Sequence, residues 1–259
     1  MKKIFLILFL GSFIFQVFGQ VSSLRNLDDK VRKYAEEASG SEAYNRVIID
    51  LNNDENDDVI YSYICGELNC MRVFLNINGQ YKEKLFAHYS SYSLSDSKKL
   101  HLYEYSCCGE SPFFSNRIYE FNATSAILAE NYIETNSSYT KNKFLAPSNY
   151  LYKPYSVKIL NEDYNLRFSP DMELFEDSDE SFMFTCEIRT NIIAKIRANA
   201  IVKVLAEFET KERKWLYVEV KRQSIKDRCR ITDFEEESAS QNQAIRGWIR
   251  GNYVERSIP

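Results

Sequence analysis

Apolar and polar positions along this chain follow a helical period once, and after that a period of two. Over residues 23–38, Leu24, Leu27, Val31 and Tyr34 recur at helical spacing and form one apolar stripe. Ser23 stands where an N-cap is wanted and Gly40 follows the end, so a helix is expected with its stripe laid on a sheet. Alternating runs near 59–64, 71–76, 81–88, 100–106 and 114–121 predict strands of an antiparallel meander, with INGQ at 77–80 as a hairpin turn. Residues 136–154 lose all periodicity and carry Pro147 and Pro154, which predicts a linker. Alternation then returns. Ile192, Ala194 and Ile196 share a face, as do Val202, Val204 and Ala206. In WLYVEV, Leu216, Val218 and Val220 are expected inward, and Trp215 and Tyr217 outward.

Composition supports strands: 18 Tyr and 17 Phe stand beside only 8 Gly and 5 Pro. The first 19 residues have the form of a signal peptide. MKK is followed by the apolar run IFLILFLGSFIF, with Val17 and Gly19 at the −3 and −1 positions of a cleavage site. The expected mature chain is secreted or periplasmic, with no transmembrane anchor after cleavage. Losing Lys2 and Lys3 lowers the 33 basic residues to 31 against 37 acidic ones, so nucleic acid is not expected as a partner. The charge run at 211–230 reads as a solvated strand face.

Six cysteines in an exported chain point to disulfides. Cys65, Cys70, Cys107 and Cys108 fall in the N-terminal half; Cys107 and Cys108 read as structural partners for Cys65 and Cys70 in preference to a redox-active vicinal pair, and the connectivity among six cysteines stays open. Cys186 and Cys229 are expected to join each other. Zinc ligation at CGELNC lacks a second pair at finger-like spacing.

DLNNDENDDVI at 50–60, followed by RVFLNINGQY, resembles the Asp-rich loop and strand of FG-GAP or VCBS-type repeat units. The resemblance implies a blade-like meander and a loop for Ca²⁺, with Asp50, Asn52, Asp54, the carbonyl of Asn56, and Asp58 as ligands. Glu55 stands where such loops place Gly. Two readings of the loop remain: bound Ca²⁺, or an acidic hairpin loop with its caps satisfied. YSYICGE at 61–67 is echoed by YEYSCCGE from Tyr103, about 40 residues on, roughly the length of one blade.

In the last hundred residues YNLRFSP (164–170), NIIAKI, IVKVLAEF, WLYVEV, GWI and NYV follow one another in an order that resembles bacterial SH3-type (SH3b) domains. Asn199 stands where the family usually has Gly before a strand. Two stretches depart from the family pattern by their length, 171–190 and 221–244. The expected fold is therefore mainly β. Residues 20–135 form a helix plus blade-like antiparallel meander, 136–154 a linker, and 155–259 an SH3-like five-stranded barrel with long loop insertions.

The SH3b resemblance implies a non-catalytic binding protein of the bacterial cell envelope that recognises cell-wall peptide or an envelope protein. Trp215, Tyr217, Trp248 and Tyr253 are the expected ligand-binding aromatics. The alternative is a calcium-stabilised structural or adhesion protein acting through the N-terminal half. Catalysis is not expected. A cell-wall peptidase needs Cys with His or a His-ligated metal, and His88 and His101 show no such spacing.

Overall fold

A computed structural model of the protein describes residues 23–104, 113–135, 144–172, 191–228 and 243–257. The expected signal peptide, Cys107, Cys108, Cys186 and Cys229 lie outside the described residues.

The fold is mainly β. Helix α1 spans Leu24–Ser39, its first turn capped by Ser23 Oγ, which accepts from Asn26 N at 3.3 Å. Gly40 closes it at φ 71°, its N–H donating to Glu36 O at 2.7 Å. Leu27, Val31 and Ala35 are fully buried, and Leu24 and Tyr34 flank them. The stripe covers one face of a four-stranded antiparallel sheet ordered β1 (Asn45–Ile49), β2 (Asp58–Cys65), β3 (Leu68–Ile77) and β4 (Gln80–Tyr89). Tyr61 ties the two layers together: its hydroxyl donates to Asp28 at 2.7 Å and its ring meets Phe74 edge-on. Asn78 and Gly79, at φ 55° and 77°, make the two-residue turn expected from INGQ. The opposite face of this sheet buries Ile60, Met71, Val73, Leu75 and Ala87 against Leu100 and Leu102.

Those two leucines belong to the second sheet. Its strands are β5 (Ser91–Leu94), β6 (Leu100–Glu104), β7 (Phe113–Phe121), β8 (Ala126–Thr135), β9 (Tyr155–Ile159), β10 (Tyr164–Arg167), β11 (Ile192–Ile196), β12 (Ile201–Glu209), β13 (Lys214–Lys221), β14 (Ile225–Arg228), β15 (Ala244–Arg250) and β16 (Val254–Arg256). The main path runs β16-β9-β12-β13-β15-β8-β7-β6-β5, with β10 bridging β15 to β11, and β14 on β11. All pairs are antiparallel except β15–β8, where Ala244 and Ile245 lie beside Tyr132 and Ile133 in parallel register.

That parallel seam changes the expected organisation. Residues 136–154 were expected to separate two independent halves, yet strands from both sides of them share one sheet. Among the described residues the ladder does not close on itself, so no closed five-stranded barrel is present.

The C-terminal core gathers Val157, Ile159, Leu166, Ile193, Ile196, Val202, Val204, Leu216, Val218, Val220, Ile245 and Ile249. A register shift between Val204 and Ala206 inserts Leu205 into β12. A bulge of this kind turns every later side chain to the other face. Ala206, expected inward with Val202 and Val204, therefore lies opposite Tyr217 and away from this core. Glu207 takes the inward side opposite Leu216. Where β10 meets β15, a Cβ on Gly247 would lie 2.7 Å from the Arg167 carbonyl oxygen, so only Gly permits this approach. Asn199, standing where the resemblance places Gly, adopts φ 63°.

Candidate functional site

The expected aromatic groove is not open. Alternation placed Trp215 and Tyr217 on the correct side of β13, opposite Leu216, Val218 and Val220. That side is nevertheless buried: Trp215, Tyr217 and Trp248 retain 1%, 0% and 3% of their exposure. They pack together with Leu205 and Ala206. Residues 144–152, the tail of the expected linker, lie over them. Phe144 packs on the cluster, Leu151 N donates to Leu205 O at 2.8 Å, and Trp248 Nε1 donates to Leu145 O at 2.7 Å. The Tyr150 ring stands 6.2 Å from that of Tyr217, edge-on. These three aromatics are core residues. Tyr253 alone is exposed, with its ring edge-on to Tyr164.

The Asp-rich loop satisfies itself. Asp58 is fully buried, and its two oxygens accept from Leu51 N at 2.9 Å and Asn76 N at 2.8 Å. Burial raises its pKa, while the two amide donors pull the other way. Asp50 accepts from the N–H groups of Asp54 and Glu55, and Lys98 Nζ stands 3.4 Å from it. Asp54 accepts from Asn56 N at 2.9 Å and from Asn52 Nδ2 at 3.0 Å, and the Asn56 amide is the main cause of its lowered pKa. Glu55 occupies the left-handed region at φ 67°, where the resemblance places Gly. Among the described residues, Asp50, Asp54 and Asp58 do not bring one carboxylate oxygen each within 4.8 Å of one another. In this arrangement the carboxylate oxygens serve mainly backbone donors, with Asn52 Nδ2 and Lys98 Nζ beside them.

Cys65 is bonded to Cys70, closing the β2–β3 hairpin on itself; the expectation of separate partners at Cys107 and Cys108 is corrected here. Neighbouring hairpin strands bring the two sulfurs together, with Tyr63 opposite Cys70 and Cys65 opposite Leu68. A ring nitrogen of His88 lies within 4.8 Å of both sulfurs. His101 Nε2 lies 3.1 Å from Asn116 Oδ1, and its ring is 3.9 Å from that of Tyr103. Burial lowers its pKa.

An open cleft stands at the end of the C-terminal core, and the sequence reading missed it. Tyr155, Val157, Glu207, Lys214, Leu216, Gly251, Val254 and Arg256 enclose about 260 Å³. Val157 and Leu216 are core residues and Val254 packs against them, so the floor is aliphatic. The rim is charged. Lys214 Nζ lies 2.7 Å from Glu207 Oε2, the Tyr155 hydroxyl donates to Glu207 Oε1, and the Arg256 guanidinium lies 4.7 Å from the centre of the Tyr155 ring. Hydrogen bonds from Lys214 and then Tyr155 hold Glu207 below the usual carboxylate range. Three features assemble this rim: the bulge that turns Glu207 inward, the tight turn before β13 that supplies Lys214, and the β16–β9 pairing that brings in Arg256. In sequence these are strand-end charges. The one available signal was opposite charge on either side of a short turn, at Glu207 and Lys214.

No family model matches the chain, no curated protein matches it, and no solved structure matches it. Among the described residues, no helix is long and apolar enough to cross a membrane; this says nothing about β-barrels.

Proposed function

We propose that this protein is an exported, non-catalytic binding protein of the bacterial envelope whose SH3-like C-terminal half holds a peptide ligand. The observation that carries this reading is the cleft over the C-terminal core, with an aliphatic floor and a fixed set of charged groups at its mouth. A few polar groups around an apolar floor are the usual make-up of a small-ligand site. The strand succession from β9 to β16, with a short 3₁₀ turn at Gly251–Tyr253 before the last strand, is compatible with the SH3b resemblance. The non-catalytic part of the reading is supported by how the histidines are engaged. His101 is held by Asn116 and Tyr103, and His88 stands beside sulfurs already joined to each other.

Pull-down of the mature chain from envelope extract tests the proposal. Retention of a peptide-containing component, equal in Ca²⁺ and in chelator, supports it. Retention only in Ca²⁺, lost in Asp54→Ala, transfers the function to the N-terminal loop and a calcium-stabilised adhesion role.

A further inference from the structure

We infer that the cleft at the mouth of the C-terminal core is a carboxylate-reading site, in which Arg256 takes the terminal carboxylate of a peptide and the aliphatic floor takes its last side chain. This rests on the peptide-binding reading above and specifies its ligand.

Charge accounting selects the anion. Two cations and one carboxylate line the cleft. Lys214 is matched to Glu207 at 2.7 Å, and Glu207 is satisfied a second time by the Tyr155 hydroxyl. Arg256 is exposed, has no carboxylate within ion-pair distance among the described residues, and lies against the Tyr155 ring. Its neighbour Glu255 falls on the other side of β16 by strand alternation. One positive charge is therefore left over at the rim. A guanidinium over a ring still presents its fork of N–H donors, and that fork matches a carboxylate in bidentate fashion.

Size and floor narrow the class further. About 260 Å³ over the aliphatic floor of Val157, Leu216 and Val254 is room for a single apolar residue together with its carboxylate. Gly251 keeps the rim open. A Cβ there would come within 3.3 Å of Lys214 Cβ, Cγ and backbone oxygen, crowding the residue that pairs with Glu207.

The test is an NMR titration of the mature chain with N-acetyl-alanyl-alanine, compared with its C-terminal amide. The free acid is expected to shift residues 155–157, 207, 214–216 and 251–256, and to bind about ten-fold tighter than the amide. Arg256→Gln is expected to abolish that preference. Glu207→Gln is expected to strengthen binding of the acid several-fold, because the site loses its competing anion; a residue of merely structural importance gives no such gain. The L,L and D,D forms of the dipeptide separate the two sources of such a terminus, a protein chain and a cell-wall stem. Equal affinities for acid and amide overturn the carboxylate assignment while leaving peptide binding intact. The absence of any shift in these residues up to about 10 mM overturns the cleft as the site. In that event the envelope pull-down decides the binding proposal independently.

Discussion

The indole Nε1–H of Trp248 donates to the carbonyl oxygen of Leu145 at 2.7 Å, tying β15 to a segment about a hundred residues earlier. This bond and the Leu151–Leu205 bond hold 144–152 across the aromatic face. Trp248→Phe keeps most of the apolar area and removes the donor. It is expected to lower stability by about 1–3 kcal/mol, read by urea denaturation. Amide exchange at 144–151 is expected to rise while exchange in α1 stays unchanged.

Gly247 is expected to tolerate no side chain. Its Cβ position is 2.7 Å from the Arg167 backbone oxygen and 3.0 Å from both Ile193 Cδ1 and Leu166 Cγ. Gly247→Ala must separate β10 from β15 or shift the core beneath them, at a cost of about 1–3 kcal/mol or more. Thermal melts check this. Ala at Gly251, where the nearest atoms are the Cβ, Cγ and backbone oxygen of Lys214 at 3.3 Å, is the milder comparison.

Reduction of the Cys65–Cys70 bond opens only a short hairpin loop. Chain entropy for so small a loop gives about 2 kcal/mol. The Cys65→Ser/Cys70→Ser double variant is therefore expected to remain folded, with its loss of stability confined to the α1-covered sheet. Exchange of amides in β2 and β3 reads that loss.

Glu134 provides a pH signature. Burial is the main cause of its raised pKa, with Arg246 and the Tyr217 hydroxyl acting against it. A carboxyl whose folded pKa lies above its unfolded value favours folding when protonated, and that contribution fades as pH rises through the folded value. Glu134→Gln is therefore expected to match the parent protein at acid pH and to exceed it increasingly toward neutral pH. Melting temperature against pH checks the direction, and a gap that widens on acidification refutes it.

The seam between β8 and β15 shows why some features were legible and others were not. Both ends of α1, the INGQ turn, the positive φ at Asn199 and the meander strands follow from residues within a few positions of one another. Local rules about caps, left-handed geometry and alternation suffice for them. The seam depends on partners about a hundred residues apart. Arg246 lies over the Tyr132 ring and bridges Glu130 and Glu219, yet no local pattern marks any of the four.

The aromatic face and the cleft show the same limit in opposite directions. Alternation in WLYVEV told which side Trp215 and Tyr217 occupy and was silent on what covers it; the covering chain came from the stretch read as a linker. One inserted residue, Leu205, reversed the outlook of Ala206 and Glu207 and helped to build a charged mouth.

By itself, then, the sequence determined the helix, the strand-rich class and the local turns, because each is set by the conformational preferences of neighbouring residues. Only the tertiary structure decided which faces are sealed and which are open. Burial is a property of what packs on a surface, and the pieces that pack here are distant in the chain.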